Sequence, residues 1–125
     1  MRFWLIGCIS LLFVGCAAAR PLSSPDLPGR QTYVQSHPEL STEVRQAILE
    51  GRVTRGMTRD DVRASWGEPS KIDRFDTNPN EWWYEKDAET WHYKGAFLRF
   101  AGPDRYVSFK SGIVVEVQEA HWYSK

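Results

Sequence analysis

The segment Met57-Thr58-Arg59-Asp60-Asp61-Val62-Arg63-Ala64-Ser65-Trp66-Gly67-Glu68-Pro69 is a helix marked at both ends. Thr58 is a side-chain acceptor at the N-cap position. Asp61 follows three residues later, where its carboxylate can return a bond to the cap's own N–H, and the two make a capping box. Met57 before the cap matches Val62 as a hydrophobic staple. Asp60 and Asp61 put negative charge at the positive end of the helix, which explains this acidic pair without any catalytic role. Gly67 suits the position after the last turn, and Pro69 prevents continuation. About eight residues of helix do not hold alone in water, so Val62 and Trp66 need a surface to pack on. That need dictates a layered domain.

A second helix pattern precedes it. Leu40, Val44, Ala47 and Ile48 recur at helical spacing. Either Ser36 with Glu39 or Ser41 alone caps its start, and Gly51 ends it. From Ser70 onward the pattern turns to β-type residues broken by turn signals. Strands are expected over 71–75, over Glu81-Trp82-Trp83-Tyr84-Glu85, over 95–101, and over 106–110 and 113–118, the last two joined by a two-residue turn at Ser111-Gly112. The segment 76–80 reads as a loop, as does 86–90. Val107 and Phe109 are expected to face inward, together with Ile113, Val115 and Val117. The expected fold is α+β: two short N-terminal helices packed on an antiparallel β-meander of three to four strands.

The chain begins with Arg2 and an apolar run, residues 3–15, closed by Cys16. One positive charge, about a dozen apolar residues and then a small residue is the layout of a bacterial export signal. The run is shorter than the roughly 20 residues of a membrane span. Val14-Gly15-Cys16 is similar to the lipobox of bacterial lipoproteins, in which the thiol is acylated and becomes the new N-terminus. Phe13 stands where leucine is usual, and Ala17-Ala18-Ala19 also fits ordinary signal cleavage. The comparable Leu5-Ile6-Gly7-Cys8 would leave too little apolar segment for export. The reading divides the chain into a signal peptide over 1–15, a lipidated N-terminus and flexible tether over 16–35, and a domain over 36–125.

Both cysteines lie in the leader or at its end, so a mature chain has no internal disulfide. The 16 basic and 16 acidic residues are dispersed, which argues against nucleic-acid binding. Six tryptophans, of which only Trp4 lies in the leader, exceed what a core this small easily hides. Surface aromatic residues often mark contacts. Trp83, Trp91, Tyr93, Trp122 and Tyr123 are the candidate contact set, weighed against completing the core. Arg99, Arg105 and Lys94 are candidate contacts to acidic headgroups. His37, His92 and His121 have no metal-like spacing, and Glu89 with His92 falls short of the three or four ligands a site requires. No nucleophile elbow or phosphate loop occurs. No catalytic residue, metal, cofactor or small-molecule substrate is expected.

The stretch Ile48 to Val62, which contains Gly56-Met57-Thr58, resembles the SmpA/OmlA, or BamE-like, lipoproteins. So do the continuation Trp66-Gly67-Glu68-Pro69, the aromatic Trp82-Trp83-Tyr84 and the hairpin Phe109-Lys110-Ser111-Gly112-Ile113-Val114. The resemblance covers roughly Ser36 to Val117. It implies an outer-membrane lipoprotein facing the periplasm, an accessory interaction subunit of β-barrel assembly that binds an envelope protein and catalyses nothing. The alternative is a small secreted binding or inhibitor-like protein on the same fold, without a membrane anchor.

Overall fold

The computed structural model describes residues 23–82, 84–95 and 104–119. Three helices, α1 (Leu27–Ser36), α2 (Thr42–Glu50) and α3 (Arg59–Trp66), precede four strands, β1 (Lys71–Arg74), β2 (Ala88–Tyr93), β3 (Arg105–Lys110) and β4 (Ile113–Glu119). The strands form one antiparallel sheet in the order β1-β2-β3-β4. The α+β meander is therefore the fold, with one more helix than expected. A continuous core joins the layers. It includes Ala47 and Ile48 of α2, Val62 and Trp66 of α3, and Trp91, Tyr93, Val107, Phe109 and Val114 of the sheet.

The helix marked at both ends forms as its residues dictate. The Thr58 hydroxyl accepts from the Asp61 N–H at 3.2 Å, and the Asp61 carboxylate accepts from the Thr58 N–H at 2.9 Å. Met57 and Val62 are both buried in the core cluster. Gly56 has φ 88, the positive backbone angle that glycine supplies. The Gly56 N–H donates to the Val114 carbonyl and the Val114 N–H to the Met57 carbonyl, each at 2.9 Å. The segment before α3 is thus laced to the start of β4, with an isolated bridge between Thr58 and Ile113. α2 starts at the Ser41 cap, whose hydroxyl accepts from the Val44 N–H, and ends on left-handed Gly51. Of the two possible starts, the later one is used.

α1 occupies much of the stretch expected as a flexible tether. Asp26 caps it by accepting from the Gly29 N–H. Pro28 sits in its first turn, where the missing N–H costs nothing. Local patterning could not show this helix, because polar contacts distant in sequence hold it. Buried Arg30 donates through Nη1 to the Leu49 carbonyl at 2.9 Å. The Tyr33 hydroxyl donates to Asp61 Oδ1 at 2.8 Å. Ahead of α1, Ser23 Oγ donates to the Trp66 carbonyl at 2.6 Å. The chain is docked from Ser23 onward.

The Tyr33 contact has a measurable consequence. Burial, reinforced by the Asp61 carboxylate, raises the Tyr33 phenol above its ordinary 10.0. A raised folded value favours folding below the unfolded value, and that contribution declines as pH rises from about 10 upward. Tyr33→Phe leaves the buried Asp61 oxygen without this donor. The expected cost at neutral pH is about 1.5–3 kcal/mol in urea unfolding. The variant should also lose part of the alkaline decline in stability.

Three strand expectations are corrected. Glu81 and Trp82 lie in a turn region and Tyr84 and Glu85 are not in a strand, while the second strand is instead β2, within and beyond the stretch read as loop. The inward set on β4 is also different. A β-bulge between Ser108 and Phe109 shifts the register, so that Phe109 faces Val114 while Val107 still faces Val117. Val114 is buried, and Ile113 and Val115 are exposed. The Ser111-Gly112 turn has positive φ at both residues, the type I′ geometry that suits a twisted hairpin. The strand expected over 95–101 lies outside the described residues except at Gly95, which is irregular.

Candidate functional site

Of the aromatic contact set, only Trp91 and Tyr93 fall among the described residues, and neither is at the surface. Trp91 and Tyr93 are buried on the helix-facing side of β2. Trp91 packs on Phe109 with ring centres 4.6 Å apart. Tyr93 meets Trp66 edge to face at 5.3 Å and donates to the Gly67 carbonyl at 2.9 Å. Both residues are core, because period-two alternation in β2 turns every odd position toward the helices. Trp83, Trp122 and Tyr123 lie outside the described residues, as does Arg99. Trp82, not among the candidates, is 90% exposed. Arg105 is buried, its guanidinium 5.2 Å from the Trp66 ring centre, and so is unsuited to a headgroup contact. Cys16 also lies outside the described residues.

A different cluster stands between α3 and the β1–β2 edge. Arg59 and Arg63 are one turn apart on α3, and Arg74 ends β1 opposite Glu89 in the sheet register. Glu89 occupies a helix-facing position of β2, and its side chain is only 8% exposed. Its Oε1 accepts from Arg59 Nε at 2.5 Å and from the Trp91 indole N–H at 2.9 Å. Its Oε2 lies 3.8 Å from Arg74 Nε. The Arg63 guanidinium sits 4.6 Å from the Trp91 ring centre, within the range of a cation–π contact, and pairs with Glu68 at 2.9 Å. These groups line an open cleft of about 290 Å³, with Asp76 on its rim. A carboxylate buried with several donors around it is the arrangement that makes burial of charge tolerable.

The opposite face of the sheet carries a smaller polar cluster. His92 Nε2 is 2.7 Å from Asp73 Oδ2, and the His92 ring meets Tyr106 edge to face at 4.9 Å. Lys71 Nζ lies 2.7 Å from Asp73 Oδ1. The Lys71 hydrogen bond is the largest influence and, with His92, holds the Asp73 carboxyl below its usual value against the opposing effect of burial. Glu89 and His92, weighed together from sequence, point to opposite faces of β2 and share no site. Asp61 serves the α3 cap, and Asp60 is paired with Arg63 at 3.4 Å. Among the described residues no group of three or more histidine, cysteine, aspartate or glutamate side chains is placed to hold a metal. Among the same residues no helix is long and apolar enough to cross a membrane.

Sequence reasoning missed the arginine cleft. A signal was present: Glu89, Trp91 and Tyr93 alternate, and Arg59 and Arg63 share a helix face. The polar composition of 86–90 hid it. No family model matches the chain, and neither a curated protein nor a solved structure matches it.

Proposed function

We propose that this protein is a lipid-anchored interaction module of the cell envelope, similar to the accessory lipoprotein of the outer-membrane β-barrel assembly machinery. It is attached to the outer membrane through Cys16, faces the periplasm, and acts by contacting an envelope protein. The observation that carries this reading is the cysteine that closes the apolar leader, followed closely by a docked domain. Ser23, only seven residues on, already hydrogen-bonds to α3. Seven residues span at most about 25 Å, so an acyl chain on Cys16 keeps the domain beside the bilayer. The Gly56-Met57-Thr58 segment supports the reading as well. It joins α3 to β4, a role in folding that suits a recurrent motif in a family without catalysis.

Stable anchoring needs more than one acyl chain, and a thioether-linked diacylglycerol with an amide-linked chain meets that need. Labelling with a fatty-acid analogue, in wild type and Cys16→Ser, tests the reading. The expected result is complete loss of label and release of the variant from the membrane fraction. Label that persists without Cys16, or an unmodified amino terminus downstream of it, overturns the proposal. A detergent-extract pull-down of the wild type should recover an envelope protein, with a β-barrel assembly subunit the expected one.

A further inference from the structure

We infer that the end of the sheet remote from the tether is a protein-docking surface centred on Trp82, and that its partner offers an apolar pocket with a basic rim. This deepens the proposed envelope role and rests on it for the class of partner. Trp82 is 90% exposed. Tryptophan is mostly buried in folded proteins, and where it is not, it is among the side chains most enriched at the energetic centres of interfaces. The turn that carries it is braced. The Asn78 carbonyl accepts from the Glu81 N–H at 3.1 Å, the Glu81 carbonyl from the Tyr84 N–H at 3.0 Å, and the Phe75 carbonyl from the Glu85 N–H at 3.0 Å. The Asn78 side chain adds two more bonds, donating to Glu81 Oε1 at 3.2 Å and accepting from the Asn80 N–H at 3.1 Å. A backbone ordered in advance lowers the entropic cost of docking.

Topology and charge favour a protein over the bilayer. The Trp82 turn joins the end of β1 to the start of β2, beside the β3–β4 hairpin. The Ser111 N–H donates to the Asp87 carbonyl at 2.9 Å, and Lys110 pairs with Glu85 at 2.8 Å. Ile113 and Val115, 40% and 45% exposed, add apolar surface at this end. The tether enters at the other end, where Ser23 is bonded to the Trp66 carbonyl and Tyr93, the last residue of β2, to the Gly67 carbonyl. The six residues of β2 put roughly 20 Å between the two ends. An acyl anchor keeps the Ser23 end nearest the bilayer and leaves Trp82 for a neighbour in the periplasm. On the Trp82 turn, Asp76, Glu81 and Asp87 stand against Lys86 once Glu85 is met by Lys110, and the flanking Arg59 and Arg74 share Glu89. This end is therefore negative, with five acids against four cations. Anionic headgroups are held by clusters of lysine and arginine in excess, whereas a basic rim on a protein pocket complements this charge.

The test replaces Trp82 with the photoreactive p-benzoylphenylalanine in the full chain, expressed in its native envelope, and irradiates whole cells. The control places the same group at Leu27, which is 46% exposed and close to Ser23 at the tether end. The expected product is an adduct with one envelope protein, formed from position 82 and absent from position 27. That protein is then purified and titrated with the wild-type chain in an uncharged maltoside detergent. Trp82→Ala should weaken binding about thirtyfold or more, the loss expected of a central tryptophan, and Trp82→Phe should weaken it less. Leu27→Ala should leave it unchanged. The thermal midpoint of Trp82→Ala should match wild type, so that a folding defect is not what is read. Asp87→Asn, a replacement that tolerates the φ of 57 at this position, should weaken binding several-fold and flatten its dependence on salt. Adducts with lipid alone, no protein adduct, equal adducts from positions 82 and 27, or binding unaltered in Trp82→Ala overturn the surface. Acyl label on Cys16 with any of those results leaves the anchor standing and removes only the surface. A Trp82-dependent protein partner for a chain that carries no acyl label removes the anchor and keeps the surface.

Discussion

Gly67→Ala should lower the stability of the domain by about 3 kcal/mol or more, visible as a large fall in the urea midpoint. Two costs combine at this residue. Gly67 has φ 76 and ψ −159, a region of backbone space that only glycine enters readily and that costs other residues about 1–3 kcal/mol. A Cβ there would also lie 1.9 Å from the Ser23 carbonyl oxygen and 2.8 Å from its carbon. Both are backbone atoms, so no side-chain rotation relieves the clash, and the Ser23 segment must lift away. Its hydrogen bond to the Trp66 carbonyl goes with it. Ser23→Ala removes that bond alone and should cost only about 1 kcal/mol. The difference between the two variants measures strain and close approach together. An alanine variant as stable as wild type would mean that the chain does not cross α3 at this point.

The same glycine shows how far the sequence could be read. Its place at the end of α3 was legible because the stop signal, the cap and the staple all fall within thirteen residues, and each acts through local chemistry. That Ser23 lies against it was not legible, because the bond that holds Ser23 there, to the Trp66 carbonyl, spans 43 residues of separation. α1 escaped notice for a related reason. Its fixing groups, Arg30 on the Leu49 carbonyl and Tyr33 on Asp61, are polar and distant, and periodicity reports only apolar faces. β2 was misread because Glu89 is a charge on the buried face, and composition assigns such a residue to a loop. Once β1 and β2 pair, Arg74 stands opposite Glu89, and α3 supplies the two other arginines. The cleft is a product of sheet register and helix placement, so it became visible only when both were known. The capping role of Asp61 was local and could be read directly.

The β4 strand offers the sharpest contrast between pattern and packing. Alternation from Ile113 makes Ile113, Val115 and Val117 the inward set, so Val115→Asp should be ruinous and Val114→Asp harmless. The bulge reverses the first part of that assignment. With Ser108 facing Glu116 and Phe109 facing Val114, Val115 is the extra residue of β4, left without a partner, as bulges require. Val114 thus enters the core beside Phe109 while Val117 keeps its place opposite Val107. Val114→Asp puts a carboxylate into an apolar site, at an expected cost of about 4 kcal/mol or more. A small domain has only about 5–15 kcal/mol of stability in total, so this variant should be largely unfolded or insoluble at 37 °C. Val115, 45% exposed, should tolerate aspartate within about 0.5 kcal/mol. Thermal midpoints and soluble yields of the two variants decide the matter. The opposite ranking would show that β4 pairs in simple register, which would also unlace the Gly56-Met57 segment from Val114, since both of its backbone bonds end on that residue.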